Sequence, residues 1–153
     1  MQISKLPLES VFTTGEQMKR LTITYFHDLD VFRKFSLPQF FNFVKNLPYI
    51  PDPPDMEHIS RPAAALSENA KYRDCDEKSI LIAAFLTLQK MGKAWRFVAV
   101  STHKSKKLHH VLVDWNMGGQ MIYLDATYPK NKLFMFKRFT NIVPICDWVG
   151  VNV

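Results

Sequence analysis

The chain has 153 residues, 47% of them hydrophobic and 22% charged, with a formal net charge of +6. That length and balance suit one globular domain with its own core, and exclude a disordered or collagen-like chain. No apolar run reaches the roughly 20 residues of a membrane span, and the 2 cysteines are too few for a disulfide framework.

Thr13-Thr14-Gly15-Glu16 predicts a helix start, with Thr13 and Glu16 as a cap pair. Met18, Leu21, Tyr25, Leu29 and Phe32 then recur at spacings of three and four, as on an amphipathic helix. Thr22, Ile23 and Thr24 pull the other way, toward strand. A second helix is expected from Ser36, with Pro38 in its first turn and Gln39 at the capping-box position. It ends before Pro48. Prolines 48, 51, 53, 54 and 62 forbid helix and central strand, so this stretch is expected to lie extended across the same domain. Residues 63–69 predict a short helical turn.

Next comes Arg73-Asp74-Cys75-Asp76-Glu77-Lys78-Ser79, followed by an apolar run to Met91. Asp74 is a suitable N-cap, Glu77 occupies the capping-box position and Gly92 supplies a left-handed stop. Cys75 therefore falls in the first turn, where free N–H groups and the helix dipole favour a thiolate. Two considerations oppose this. Most single cysteines are small buried hydrophobes, and Asp74, Asp76 and Glu77 repel a thiolate. Leu81, Ala84, Phe85 and Leu88 form one face, while Ile80, Ala83 and Leu86 cover much of the rest. The helix is expected to be buried centrally.

After Gly92 the pattern predicts strands over 95–101, 108–115, 120–126 and 133–139, with Asn116-Met117-Gly118-Gly119 as a turn. Helices followed by an antiparallel sheet define an α+β fold. Alternation sends His109 and His110 to opposite faces. A hairpin tip at 117–118 sets His110 directly opposite Asp125, and a tip at 118–119 makes the two diagonal neighbours on one face. Either way Asp125 is placed to orient His110.

Asp74-Cys75-Asp76 at a helix start, Arg96-Phe97-Val98-Ala99-Val100, His110-Val111-Leu112-Val113-Asp114 and Leu124-Asp125-Ala126-Thr127-Tyr128-Pro129 together resemble the transglutaminase-like superfamily. The likeness is to small bacterial and phage-encoded members. It covers residues 72–129 well and 37–62 more weakly. It implies a papain-like core with a catalytic triad of Cys75, His110 and Asp125, and no cofactor. His110 would take the thiol proton, Cys75 would attack an amide or ester carbonyl, and Asp125 would hold the imidazole tautomer. Water as second nucleophile gives hydrolysis, and an amine gives cross-linking. A protein or peptide substrate follows. Two points depart from the family pattern: Arg73 stands where glycine is usual, and the upstream Trp or Gln that usually serves as side-chain oxyanion donor is not identified, the first tryptophan being Trp95, downstream of Cys75.

The expected layout is one domain over 1–153. Residues 1–62 form a helical, Pro-rich part, 63–139 the catalytic-type core and 140–153 a C-terminal tail. Met1 to Pro7 has no signal-peptide core, which predicts a cytoplasmic location, or a virion-associated one if the chain is phage-encoded. No membrane partner is expected. The positive charge would suit an acidic partner, but its densest group is only Lys104, Lys106 and Lys107. Without a finger spacing or an RNP-type motif, nucleic acid is not the expected main ligand. No CxxC or HxxxH pair exists, and His27, His58 and His103 stand alone, so no metal site is expected.

Three functions compete: a cysteine protease, amidase or acyltransferase; a structural or assembly protein, such as a virion component, that keeps the fold with little activity; and a basic binding module. Cys146 reads as a packing residue. Cys75 is expected to react faster than Cys146, on the argument that an imidazole ion pair outweighs carboxylates acting at longer range.

Overall fold

A helix that is apolar on nearly every side has to sit between other elements, and α4 (Cys75–Gln89) does. Of its 15 residues, 13 are buried, which leaves it no solvent face. α1 (Leu8–Tyr25), a 3-10 helix (Phe26–Phe32), α2 (Leu37–Lys45) and α3 (Pro62–Leu66) all contact it, as do strands β1 (Ala94–Ser101) and β2 (His110–Asn116). The computed structural model describes residues 8–54, 56–101, 108, 110–134 and 139–152. Met1 to Pro7, the lysine group at 104–107, His103 and His109 lie outside the described residues. Among those described, no helix is long and apolar enough to cross a membrane.

The sheet runs β3 (Met121–Leu124), β2, β1, with β4 (Asn141–Pro144) and β5 (Val149–Gly150) sharing the far edge of β1; every pairing is antiparallel. One face sends Trp95, Phe97, Ala99, Val111 and Val113 into the main core with the helices. The other carries a small cluster of Val98, Val100 and Leu112 beside Tyr123 and Phe139. The α+β class is therefore the observed one. Phenylalanines from the N-terminal third join the core at α4, where Phe40 stacks on Phe85 with ring centroids 4.3 Å apart.

Several boundaries differ from the sequence expectation, each for a local reason. α2 forms as read, with Ser36 and Gln39 exchanging both bonds of a capping box. α1 instead begins at Leu8, so Thr13 and Glu16 lie inside it rather than at its start. The last helix does not wait for Gly92. Lys90 takes the left-handed conformation (φ 52°), while Met91 N–H bonds Leu86 O at 3.0 Å and Lys90 N–H bonds Thr87 O at 3.3 Å. That pair is a Schellman closure, with Lys90 where glycine is usual. In the expected strand 133–139, residues 133–134 form a turn and 135–138 lie outside the described residues. The fourth and fifth strands come from the stretch expected to be a tail, because β1 offers a whole free edge for 141–144 and 149–150 to pair with.

Gly15 marks where α1 meets that returning segment. A β-carbon there would lie 2.0 Å from the Ile145 carbonyl oxygen and 2.7 Å from its carbon, and backbone cannot yield as a side-chain tip can. Gly15→Ala should therefore destabilise by about 1–3 kcal/mol through overpacking, although alanine gains up to about 1 kcal/mol in helix propensity. A urea midpoint unchanged or raised would show that α1 does not press on Ile145.

Candidate active site

Three segments build the site: the start of α4, the start of β2, and the loop after β3. Ser79 donates to Val111 O at 3.2 Å, which fixes α4 against β2. The hairpin register pairs Val113 with Leu124 and Asn116 with Met121, so the tip is Gly118-Gly119. Asn116 Oδ1 accepts from both glycine N–H groups, at 3.0 and 3.2 Å. Of the two expected tips, this is the one that makes His110 and Asp125 diagonal neighbours.

They meet. His110 Nε2 lies 2.8 Å from Asp125 Oδ2. Asp125 Oδ1 accepts the Thr127 N–H at 3.1 Å, and Asn131 Nδ2 donates to Asp125 O at 3.1 Å. Burial pushes the Asp125 carboxyl up, but the bonds from His110 and Thr127 outweigh it and hold the group below the usual carboxylate range. An ionised carboxylate only accepts, so Nε2 carries the hydrogen. In the neutral ring, Nδ1 then keeps its lone pair. Tyr128 stacks on the imidazole with centroids 5.9 Å apart, and Tyr49 stacks on Tyr128 at the same distance.

Cys75 is the first residue of α4, and Asp74 caps the helix by accepting the Asp76 N–H at 2.9 Å. Its side chain is 3% exposed. Sγ contacts Asp76 Oδ1 at 3.9 Å, and the Val111 N–H is directed at it, one residue beyond His110. Among the described residues no Sγ–imidazole hydrogen bond forms. The structure thus joins His110 to Asp125 and sets Cys75 against the neighbouring residue of the same strand.

Electrostatics at the sulfur run opposite to the sequence expectation. Burial first, then Asp76 and Asp74, push the thiol well above its ordinary value, with only the Val111 N–H pulling down. These carboxylates are not solvated charges at longer range; Asp74, Asp76 and Glu77 are all buried. Glu77 does not complete a capping box. Its buried carboxylate turns toward Asp52 and Asp74 instead. Burial and those acids raise it to about 11.

Arg73, two residues before Cys75, binds backbone carbonyls. Its guanidinium donates to Ala65 O at 2.7 Å, Pro48 O at 3.0 Å and Ser67 O at 3.0 Å. The sequence reading passed over Lys78, one turn beyond Cys75 and 1% exposed. Its ammonium donates to Leu47 O and Thr127 O at 2.8 Å and to Lys45 O at 3.3 Å, tying α4 to both flanking loops. Burial lowers its pKa to about 8. The signal was there: a charge inside an otherwise apolar run has to find partners. Tyr128, which stacks on the imidazole, and Tyr49, which stacks on Tyr128, left no such signal.

Comparison with protein-family models, with curated proteins and with solved structures finds no match.

Proposed function

We propose that this chain is a transglutaminase-like cysteine acyl-transfer enzyme acting on a protein or peptide. Cys75 is the nucleophile, His110 the base and Asp125 the residue that fixes the imidazole. The observation that carries the reading is the 2.8 Å bond from His110 Nε2 to a buried, ionised Asp125, which leaves the Nδ1 lone pair for a proton. With a thiol raised by burial, the chemistry is that of a neutral nucleophile deprotonated as it attacks, rather than a resting thiolate. Cys75 forms a thioester with the acyl group. His110 returns the proton to the leaving group, and water or an amine then releases the acyl chain. The Pro48 to Pro62 segment, which carries Tyr49 to the site, supplies the wall where a peptide would be recognised.

The experiment is acetylation by p-nitrophenyl acetate, read by peptide mapping for a thioester on Cys75, with and without a small primary amine. A thioester at Cys75 that turns over supports the enzyme, and its partition between water and amine separates hydrolysis from cross-linking. Acetyl groups on lysines alone would sink it. One observation favours a second reading, a structural or assembly protein that keeps the fold with little activity: Sγ is buried against Asp74 and Asp76. That reading predicts no thioester and an assembly state indifferent to Cys75→Ala.

A further inference from the structure

The three ammonium protons of buried Lys78 meet three backbone carbonyls. Two of these, Lys45 O at 3.3 Å and Leu47 O at 2.8 Å, lie at the end of α2, where orphan carbonyls favour a cation. The third, Thr127 O at 2.8 Å, belongs to the loop after β3. Three donors on three acceptors leave none for the thiol or a substrate.

Both segments held in this way lead into the site. The Thr127 N–H bonds Asp125 Oδ1 at 3.1 Å, and the Thr127 carbonyl shares a peptide plane with Tyr128, which stacks on His110. Leu47 precedes Pro48 and Tyr49, and the Tyr49 ring stacks on Tyr128. One ammonium therefore ties the loop that orients the imidazole to the segment that covers it. A buried cation is weak evidence for stability, since an apolar residue of equal volume often serves as well. Methionine would fill the space, but it could not hold two segments together.

We propose that Lys78 is a positioning residue for the His110–Asp125 pair: its ammonium locks the loop after β3 against α4 and so holds the imidazole at its bond to Asp125. The consequence for rate rests on the acyl-transfer reading; the consequence for geometry does not. Lys45 adds a second tie to the same loop, Nζ to Asn131 O at 3.1 Å. The loop thus stays attached when Lys78 is replaced, and only its position loosens. A misplacement of about 1 Å at a reacting constellation costs up to about 100-fold in rate.

Wild type and Lys78→Met are compared in two readouts. The first is the His110 Nε2 proton, observed by NMR as a downfield resonance protected from solvent and assigned with His110→Ala. The second is acetylation of Cys75 by p-nitrophenyl acetate. In Lys78→Met the ring proton should exchange about tenfold faster or more, and acetylation should slow by about 10- to 100-fold. Gly92→Ala controls for lost stability, being strained at the far end of α4, where φ is +75° and a β-carbon would meet Trp115 Nε1 at 2.5 Å. It should keep both readouts. If Lys78→Met does not fold, Lys78→Gln, neutral and with a shorter donor, replaces it. A ring proton as protected in the variant as in wild type, or unprotected in both, overturns the proposal and leaves Lys78 as a cap on α2. A loosened proton with undiminished acetylation overturns its role in the reaction, and equal losses in Gly92→Ala would trace both effects to stability. No thioester in wild type sinks the enzyme reading alone, and the ring proton then decides for Lys78.

Discussion

Arg73→Ala should lower the unfolding free energy by about 3–5 kcal/mol, through the loss of three charge-assisted hydrogen bonds and the buried carbonyls they leave unpaired. The side chain has no solvent to fall back on, being 4% exposed. Its three acceptors come from two stretches: Pro48 at the exit from α2, and Ala65 and Ser67 in α3 and at its C-cap. A bond from a charged donor contributes about 1.5–3 kcal/mol, and an orphaned buried carbonyl costs about 1–3 kcal/mol. These terms overlap, so their sum is an upper bound. Arg73→Lys should recover less than half, since an ammonium cannot reproduce a planar fork reaching three carbonyls. Equilibrium urea unfolding checks the size, and limited proteolysis within 48–62 checks the place. A loss below about 0.5 kcal/mol, with no new cleavage there, would show that the Pro-rich segment holds itself by other contacts.

Arg73 also shows where sequence reading stops. A cation next to a cysteine looks electrostatic when the only information is adjacency. Where the guanidinium points depends on carbonyls 6, 8 and 25 residues away, which no local pattern encodes. Patterns with a short range survived better. Ser36 and Gln39 formed their capping box, Asp74 capped α4, and the apolar run after Ser79 was buried as its composition required. The His110–Asp125 pairing was also legible, because alternation and a Gly-Gly tip fix the face without any tertiary knowledge. What failed was long range. β4 and β5 owe their existence to the open edge of β1, and Gly15 of α1 packs against Ile145, 130 residues later. The acids around Cys75 were all visible in the sequence. Their dryness was not, because Asp52 reaches them only through the Ile50–Arg73 bridge.

That dryness decides the last expected result. His110→Ala should slow acetylation of Cys75 by about 10²- to 10⁴-fold, the usual contribution of a positioned general base, while leaving its alkylation by iodoacetamide near neutral pH almost unchanged. The two reactions ask different things of the sulfur. Alkylation follows the fraction already ionised, and a thiol pushed well above its ordinary value by burial, Asp76 and Asp74 is scarcely ionised near neutral pH. In the proposed mechanism acyl transfer does not need that fraction, because His110 Nδ1 takes the proton as the carbon–sulfur bond forms. The sign for pH follows from the same shift. A raised thiol pKa moves alkylation to alkaline pH, so its rate should climb roughly tenfold per pH unit through neutrality and level off only at higher pH than an ordinary thiol. Cys146 is also raised by burial, but the Phe97 N–H and Lys19 pull it back. It should therefore alkylate at least as fast as Cys75 at pH 7, the reverse of what the imidazole alone would give. Asp125→Asn should slow acetylation in the same direction as His110→Ala, since it frees the ring to turn its hydrogen toward sulfur. Rapid alkylation of Cys75 at pH 7, lost in His110→Ala, would reveal a resting ion pair and show that the carboxylates do not govern the thiol. Equal acetylation of wild type and His110→Ala would remove the base from the mechanism and leave the assembly reading as the stronger one.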